Sequence, residues 1–201
     1  SAGSLAGGLW ASGMDAGALA AELVSLRRAD FWDPGLPLGG LLRGKKFRER
    51  LRLLLTRLGV ERIEQTPTTF VPIVHDVLRR VPLALQEGPL VESIVASCTV
   101  PAMFRPVWSQ GRLLVDGGVS DRCGFTALQD DRRVLLHFLP SRRKRLSLGT
   151  PTAQPTEVPG AQSLMLVTPN LPKVTPFALE QGPIAYTRAY DYAQRWLDDA
   201  V

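Results

Sequence analysis

The stretch Gly111-Arg-Leu-Leu-Val-Asp-Gly-Gly118 sets a short apolar run directly ahead of an acidic turn. Arg112 to Val115 reads as a strand, and Asp116 falls where it ends, followed by two glycines that let the chain reverse. A carboxylate at the carboxyl edge of a sheet stands where open α/β sheets hold their sites. Asp-Gly is also a common turn dipeptide, and for the stretch taken by itself the plain turn is the preferred reading. A second stretch, Ser1-Ala-Gly-Ser-Leu-Ala-Gly-Gly8, matches the second half of G-x-S-x-G, the strand-to-helix elbow that exposes a nucleophilic serine. Ala2 and Gly3 are the small residues such a crowded turn calls for, although Ser-x-Gly also occurs by chance.

Working outward, Leu5 to Trp10 reads as a tightly packed helix, with Gly7 and Gly8 permitting close approach to a neighbouring strand. Asp15 is placed to cap a second helix reaching Arg28. The Gly/Pro-rich segment from Phe31 to Gly44 reads as a loop, and its Phe31, Trp32 and Leu36 to Leu42 are candidates to cover a site. From Lys45 to Leu58 the apolar residues Phe47, Leu51, Leu54, Leu55 and Leu58 recur at helical spacing, with Lys45, Lys46, Arg48, Arg50, Arg52 and Arg57 mostly off that stripe. Such a basic helix suits an anionic membrane surface, but its leucines serve a protein core equally, and the core reading is preferred. Strand character follows in Thr68 to Val74 and Val81 to Leu85, then a buried helix between Pro89 and Pro101. Val134 to Leu139 and Leu164 to Val167 read as buried strands, and a last helix runs from about Pro183 to Ala200. Strands alternating with helices indicate an α/β fold with a sheet covered on both faces. The tract Ser141 to Gly160 reads as a loop, basic at Ser141 to Arg145.

Composition narrows the chemistry. The chain has 201 residues, 45% of them hydrophobic, enough to bury the core of one domain over 1–201. No apolar run approaches the ~20 residues that span a bilayer. Cys98 and Cys123 are too few for a disulfide scaffold and read as free thiols. His75 and His137 show no metal-ligand spacing, so no metal or cofactor is expected. A net charge of +5 favours anionic partners, but no nucleic-acid signature accompanies it.

Taken together, SAGSLAGGLWASGMD (Ser1 to Asp15), ASCTVPAMFRPV (Ala96 to Val107) and VDGGVSD (Val115 to Asp121) resemble the patatin-like phospholipase family in order and spacing. Weaker similarity continues through GLLRG (Gly40 to Gly44) and NLPKVTPFALEQG (Asn170 to Gly182). The resemblance implies a three-layer α/β/α fold with a mostly parallel central sheet. It also implies a serine-dependent lipid acyl hydrolase in which Ser1 is the nucleophile and Asp116 contacts it directly, with no histidine between. Ala2, Gly3, Gly117 and Gly118 support the two motifs. The implied substrate is an acyl ester of a phospholipid, lysophospholipid or neutral lipid, met in the cytoplasm or at a membrane surface; secretion stays open.

A Ser1–Asp116–His137 triad is the rival, in the chain order of α/β-hydrolases. It is disfavoured because His137 sits within the strand-like run VLLHFL rather than on a loop. The family's glycine-rich oxyanion loop and first strand precede the nucleophile, so the chain is expected to continue upstream, and the isolated 201 residues to be poorly active. Alternatives are cleavage before Ser1 that makes its amino group a base, an acyltransferase on the same fold, or a lipid-surface binding module without turnover. After VDGG, family members often carry N-x-P, whereas this chain reads Val119-Ser-Asp-Arg-Cys-Gly124, which puts the shape of that loop in question.

Overall fold

Two short reversals determine how the strands pair. Val77 to Arg80 joins β2 (Ile73–Asp76) to β3 (Val81–Ala84), and Gln110 and Gly111 join β5 (Val107–Ser109) to β6 (Arg112–Asp116). Connections this short produce only antiparallel neighbours. Both carry left-handed residues: Arg80 at φ 59°, Gln110 at 49° and Gly111 at 72°. The resulting four-stranded sheet, in the order β3-β2-β6-β5, is therefore antiparallel throughout, with Val74 opposite Asp116 and Val107 opposite Leu114. The α/β class holds, but the mostly parallel central sheet expected from the sequence is not what these strands form. Parallel pairing occurs in two smaller sheets, β1 (Gly40–Leu42) with β4 (Ala102–Phe104) and β7 (Arg133–Phe138) with β8 (Gln162–Val167).

The structure is a computed structural model that describes residues 1–36, 39–128, 133–140, 162–175 and 178–200. The Ser141 to Gly160 tract expected to be a loop lies outside them, as do residues 37 and 38 of the expected cover. The chain divides into two compact units, Ser1–Ala127 and Leu128–Val201. The second holds the β7–β8 pair and α5 (Gly182–Ala200). Its strands are not buried throughout, as expected from their apolar content; Leu135 and Leu164 are 60% and 59% exposed.

In the first unit the core lies between the sheet and helices α1 (Ala2–Ala11), α3 (Lys45–Leu58) and α4 (Leu90–Ser97). Val74, Val107 and Leu114 project from one sheet face into a cluster with Leu90, Ile94 and Val95 of α4, Leu9 of α1, and Leu51 and Leu55 of α3. Gly8 is the reason α1 comes so near α4. A Cβ there would stand 2.5 Å from Ile94 Cδ1 and 3.1 Å from the Phe70 ring, so the close neighbour is a helix rather than the expected strand. α2 (Ala16–Val24) starts as expected, with the Asp15 carboxylate accepting from Gly17 and Ala18, but stops short of Arg28.

α3 has the expected boundaries and an unexpected cap. Asp33, in the preceding loop, accepts from the N–H groups of Gly44, Lys45 and Lys46 at 3.0, 2.6 and 3.2 Å, satisfying donors that the helix itself leaves free. Half of its basic residues pair with carboxylates: Arg48 and Arg52 with Glu92, and Arg50 with Glu22 and Asp30. The leucine stripe packs inward, as preferred from the sequence. Leu51→Ala should accordingly cost about 2–5 kcal/mol of stability, whereas Leu53→Ala, at a 60% exposed position, should stay within about 0.5 kcal/mol. Urea unfolding followed by circular dichroism reads both; equal costs would contradict this assignment of faces.

Candidate active site

Ser1 is the N-cap of α1, at the positive end of that helix. Its carbonyl accepts from the N–H groups of Ser4 and Leu5 at 2.9 and 3.2 Å, while its hydroxyl takes no part in capping. The Ser1 side chain is about half exposed.

Asp116 closes β6 and is buried. Its N–H donates to the Thr99 carbonyl at 2.9 Å, and its Oδ1 accepts from the Gly118 N–H at 2.8 Å, opening a single 3₁₀ turn over Gly117–Val119. Gly117 is dictated by space. A Cβ at that position would lie 2.6 Å from the Ile73 carbonyl oxygen of the neighbouring strand. Gly118 is less confined, since its Cβ would approach only Asp116 Oδ1, at 3.1 Å.

The fold thus brings Ser1 and Asp116 to one place: the main-chain nitrogen of Ser1 is 3.9 Å from Asp116 Oδ1. Among the described hydrogen bonds none joins the Ser1 hydroxyl to the carboxylate. Ala2 is the first helical residue, and an added Cβ at Gly3 would meet nothing within 4 Å, so the crowding expected there is absent among the described residues.

Several polar residues beside this pair escaped the sequence reading. Ser97, wholly buried at the end of α4, donates to the Ile73 carbonyl at 2.8 Å and shares a 2.7 Å hydrogen bond with Ser4 Oγ. Cys98 donates from Sγ to the Ser1 carbonyl at 3.3 Å. Burial pushes its thiol up to about 12, with the nearby Asp116 charge adding to the rise. The only available signal was their presence in ASCTVPAMFRPV, where they look like ordinary small core residues.

Each histidine has a hydrogen-bond partner of its own. His137 Nε2 bonds Thr168 Oγ1 across the β7–β8 pair at 2.9 Å, and burial lowers its pKa. His75, on β2, bonds Ser120 Oγ through Nδ1 at 2.8 Å and ties down the loop after Gly118. That loop is ordered without N-x-P. Burial of Asp121 opposes its ionisation, but hydrogen bonds from Thr126, Phe125 and Gly124 outweigh it and hold the carboxyl below its ordinary range.

Two outcomes are expected from this geometry. Gly117→Ala must push β2 from β6 and should destabilise the protein by roughly 1–3 kcal/mol, read as a lowered urea midpoint; an unchanged midpoint would refute the close approach. With its thiol near 12, Cys98 is protonated from neutral pH to pH 9, so iodoacetamide should label it in the native protein far more slowly than after unfolding in guanidinium, where an unperturbed thiol titrates near ~8.5. Equal rates at pH 8 would contradict its burial.

Residues 1–128 match the model of the patatin-like phospholipase family, close to the extent of the first compact unit. An uncharacterized NTE family protein of Mycobacterium bovis is 33% identical over 123 residues, covering 60% of this chain and 33% of its own length. An uncharacterized NTE family protein of Mycobacterium tuberculosis is 31% identical over 121 residues, covering 59% of this chain and 20% of its own. The chain thus spans about a third or less of the curated relatives it matches. The family model covers well over half of the 201 residues and includes both Ser1 and Asp116, so the chain belongs to the patatin-like phospholipase family.

Proposed function

We propose that this chain carries the nucleophile and the proton acceptor of a serine-dependent lipid acyl hydrolase working through a Ser1–Asp116 dyad. Family membership supports lipid acyl hydrolysis as the general class of activity. The single observation that supports the dyad is the meeting of an exposed helix-capping serine with a buried carboxylate, main-chain nitrogen to Oδ1 at 3.9 Å. Catalytic hydrogen bonds commonly tighten only when substrate binds.

In the proposed cycle Ser1 Oγ attacks the ester carbonyl carbon and its proton passes to Asp116. Negative charge growing on the carbonyl oxygen lies at the positive end of α1. The C–O bond to the alcohol or lysolipid then breaks, and the proton on Asp116 goes to the departing oxygen. Water attacks the acyl-serine, giving its proton to Asp116; cleavage returns that proton to Ser1 Oγ and releases the fatty acid. Neither histidine enters, and no cofactor is needed. The proposed substrates are acyl esters of phospholipids, lysophospholipids or neutral lipids, reached from the cytoplasm or a membrane surface.

The test is fluorophosphonate labelling of the full chain with a medium-chain nitrophenyl ester as reporter. Wild type should be labelled at Ser1. Ser1→Ala should lose labelling and turnover, and Asp116→Asn should lower kcat by roughly 10³-fold or more, while His137→Ala retains activity. A folded wild type that is never labelled would favour a lipid-binding module, and an inactive but folded His137→Ala would restore the triad.

A further inference from the structure

We infer that the corner Ser97-Cys98-Thr99, where α4 ends, sets Ser1 against Asp116, and that Ser97 is a positioning residue for the nucleophile. The inference rests on the Ser1–Asp116 reading above and adds to it the residue that holds the serine in place.

Three consecutive residues reach both halves of the site. Ser97 Oγ lies 2.7 Å from Ser4 Oγ and 3.2 Å from the Ser1 main-chain nitrogen. Cys98 Sγ donates to the Ser1 carbonyl. The Thr99 carbonyl accepts the N–H of Asp116 at 2.9 Å. Thr99 is itself pinned, since its hydroxyl donates to the Val95 carbonyl one turn back at 2.8 Å. Ser1 and Asp116 are remote in sequence, yet each is one hydrogen bond from the same three residues.

The direction of each bond follows from proton count. A serine hydroxyl has one hydrogen to give and two lone pairs to receive. The Ser97 hydrogen goes to the Ile73 carbonyl at 2.8 Å. The hydrogen between the two serines therefore belongs to Ser4, which donates to Ser97, and the Ser1 nitrogen donates to the remaining lone pair. With Ser4 donating to it and its own hydrogen given to Ile73, the Ser97 hydroxyl is satisfied within the protein, and the residue is 0% exposed. Ile73 is also the residue whose carbonyl abuts Gly117, the neighbour of Asp116. Ser97 thereby ties the first turn of α1 to the strand position that fixes the carboxylate turn.

A role in positioning predicts a loss in chemistry rather than in binding. Moving a reacting group by about 1 Å can cost on the order of a hundredfold in rate. In the full chain, Ser97→Ala should lower kcat for the nitrophenyl ester and the fluorophosphonate labelling rate together by at least about tenfold, with KM within about twofold of wild type. Ser4→Ala removes the Ser4–Ser97 link to the first turn of α1 and leaves the buried Ser97–Ile73 bond intact, so it should fold and show a kcat-selective loss of the same kind. Ser4→Thr, which keeps the hydroxyl, should recover most of it. A folded Ser97→Ala with wild-type kcat, or with the loss confined to KM, overturns the inference; if Ser97→Ala does not fold, Ser4→Ala decides by the same criteria. A wild type unlabelled at Ser1 would instead remove the hydrolase reading, and with it the nucleophile to be positioned.

Discussion

The Ile73 carbonyl oxygen is the point to which the rest of the site is referred. It receives the Ser97 hydroxyl at 2.8 Å and stands where any side chain at position 117 would have to go. These two constraints come from elements on opposite sides of the carbonyl, α4 and the end of β6, and they leave β2 little freedom to move. Because Val74 pairs with Asp116 in the next register position, the depth of the carboxylate is inherited from the same strand. An antiparallel pair exchanges close backbone contacts along its length, so a shift of β2 large enough to admit a side chain at 117 would also disturb the Val74–Asp116 and His75–Val115 pairing.

Burying polar groups in such a place is tolerable only when each finds a partner. Asp116 illustrates how the protein meets that demand while keeping its carboxylate facing the serine. Its N–H is taken by Thr99 and its Oδ1 receives Gly118, which fixes the side chain over its own turn. Asp76, also buried on β2, shows the contrasting use of an aspartate. It accepts from the N–H groups of Leu78 and Arg79 and from the Arg79 guanidinium, and the Arg79 backbone bond is the main cause holding its carboxyl below the ordinary range. One aspartate closes a hairpin with both oxygens engaged by that turn; the other ends a strand with only Oδ1 engaged by its own turn, 3.9 Å from the Ser1 nitrogen. The difference lies in the residues just after each aspartate. Val77-Leu78-Arg79-Arg80 supplies donors of its own, whereas Gly117-Gly118 supplies a single N–H and no side chains.

How far the sequence disclosed this varies with the length scale of the cause. The α3 boundaries were legible because Gly44 and Gly59 bracket an uninterrupted apolar period, and both glycines take left-handed conformations. The Asp15 cap was legible for the same local reason. Strand pairing was not, since family resemblance suggested parallel neighbours, and the deciding signal was a Gln-Gly reversal that passes for an ordinary loop. Ser1 and Asp116 were visible because each sits in a motif whose residue types chemistry dictates. Ser97 and Thr99 were not, because a small hydroxyl residue in an apolar helix end carries no mark of which distant carbonyl or amide it meets. Asp33 escaped likewise: its three donors lie 11 to 13 residues onward, beyond the range of any capping pattern.

The charge of the chain must be weighed in the same local terms. A surplus of five positive charges invites an anionic partner, and α3 is the obvious place to seek one. Yet three of its arginines are engaged by carboxylates from α2, the Arg28–Asp30 turn and α4, so much of the helix's charge is directed into holding neighbouring elements together. Exposed ion pairs of this kind contribute little individually. Three elements sharing one basic helix nevertheless give that helix a defined seat, and its Leu51 and Leu55 are locked into the core from the other side. A helix held on both faces is a poor candidate to lift away onto a membrane. It is a good one to keep α4 in place, and α4 is the element whose last turn carries Ser97 to Ser1 and Ser4.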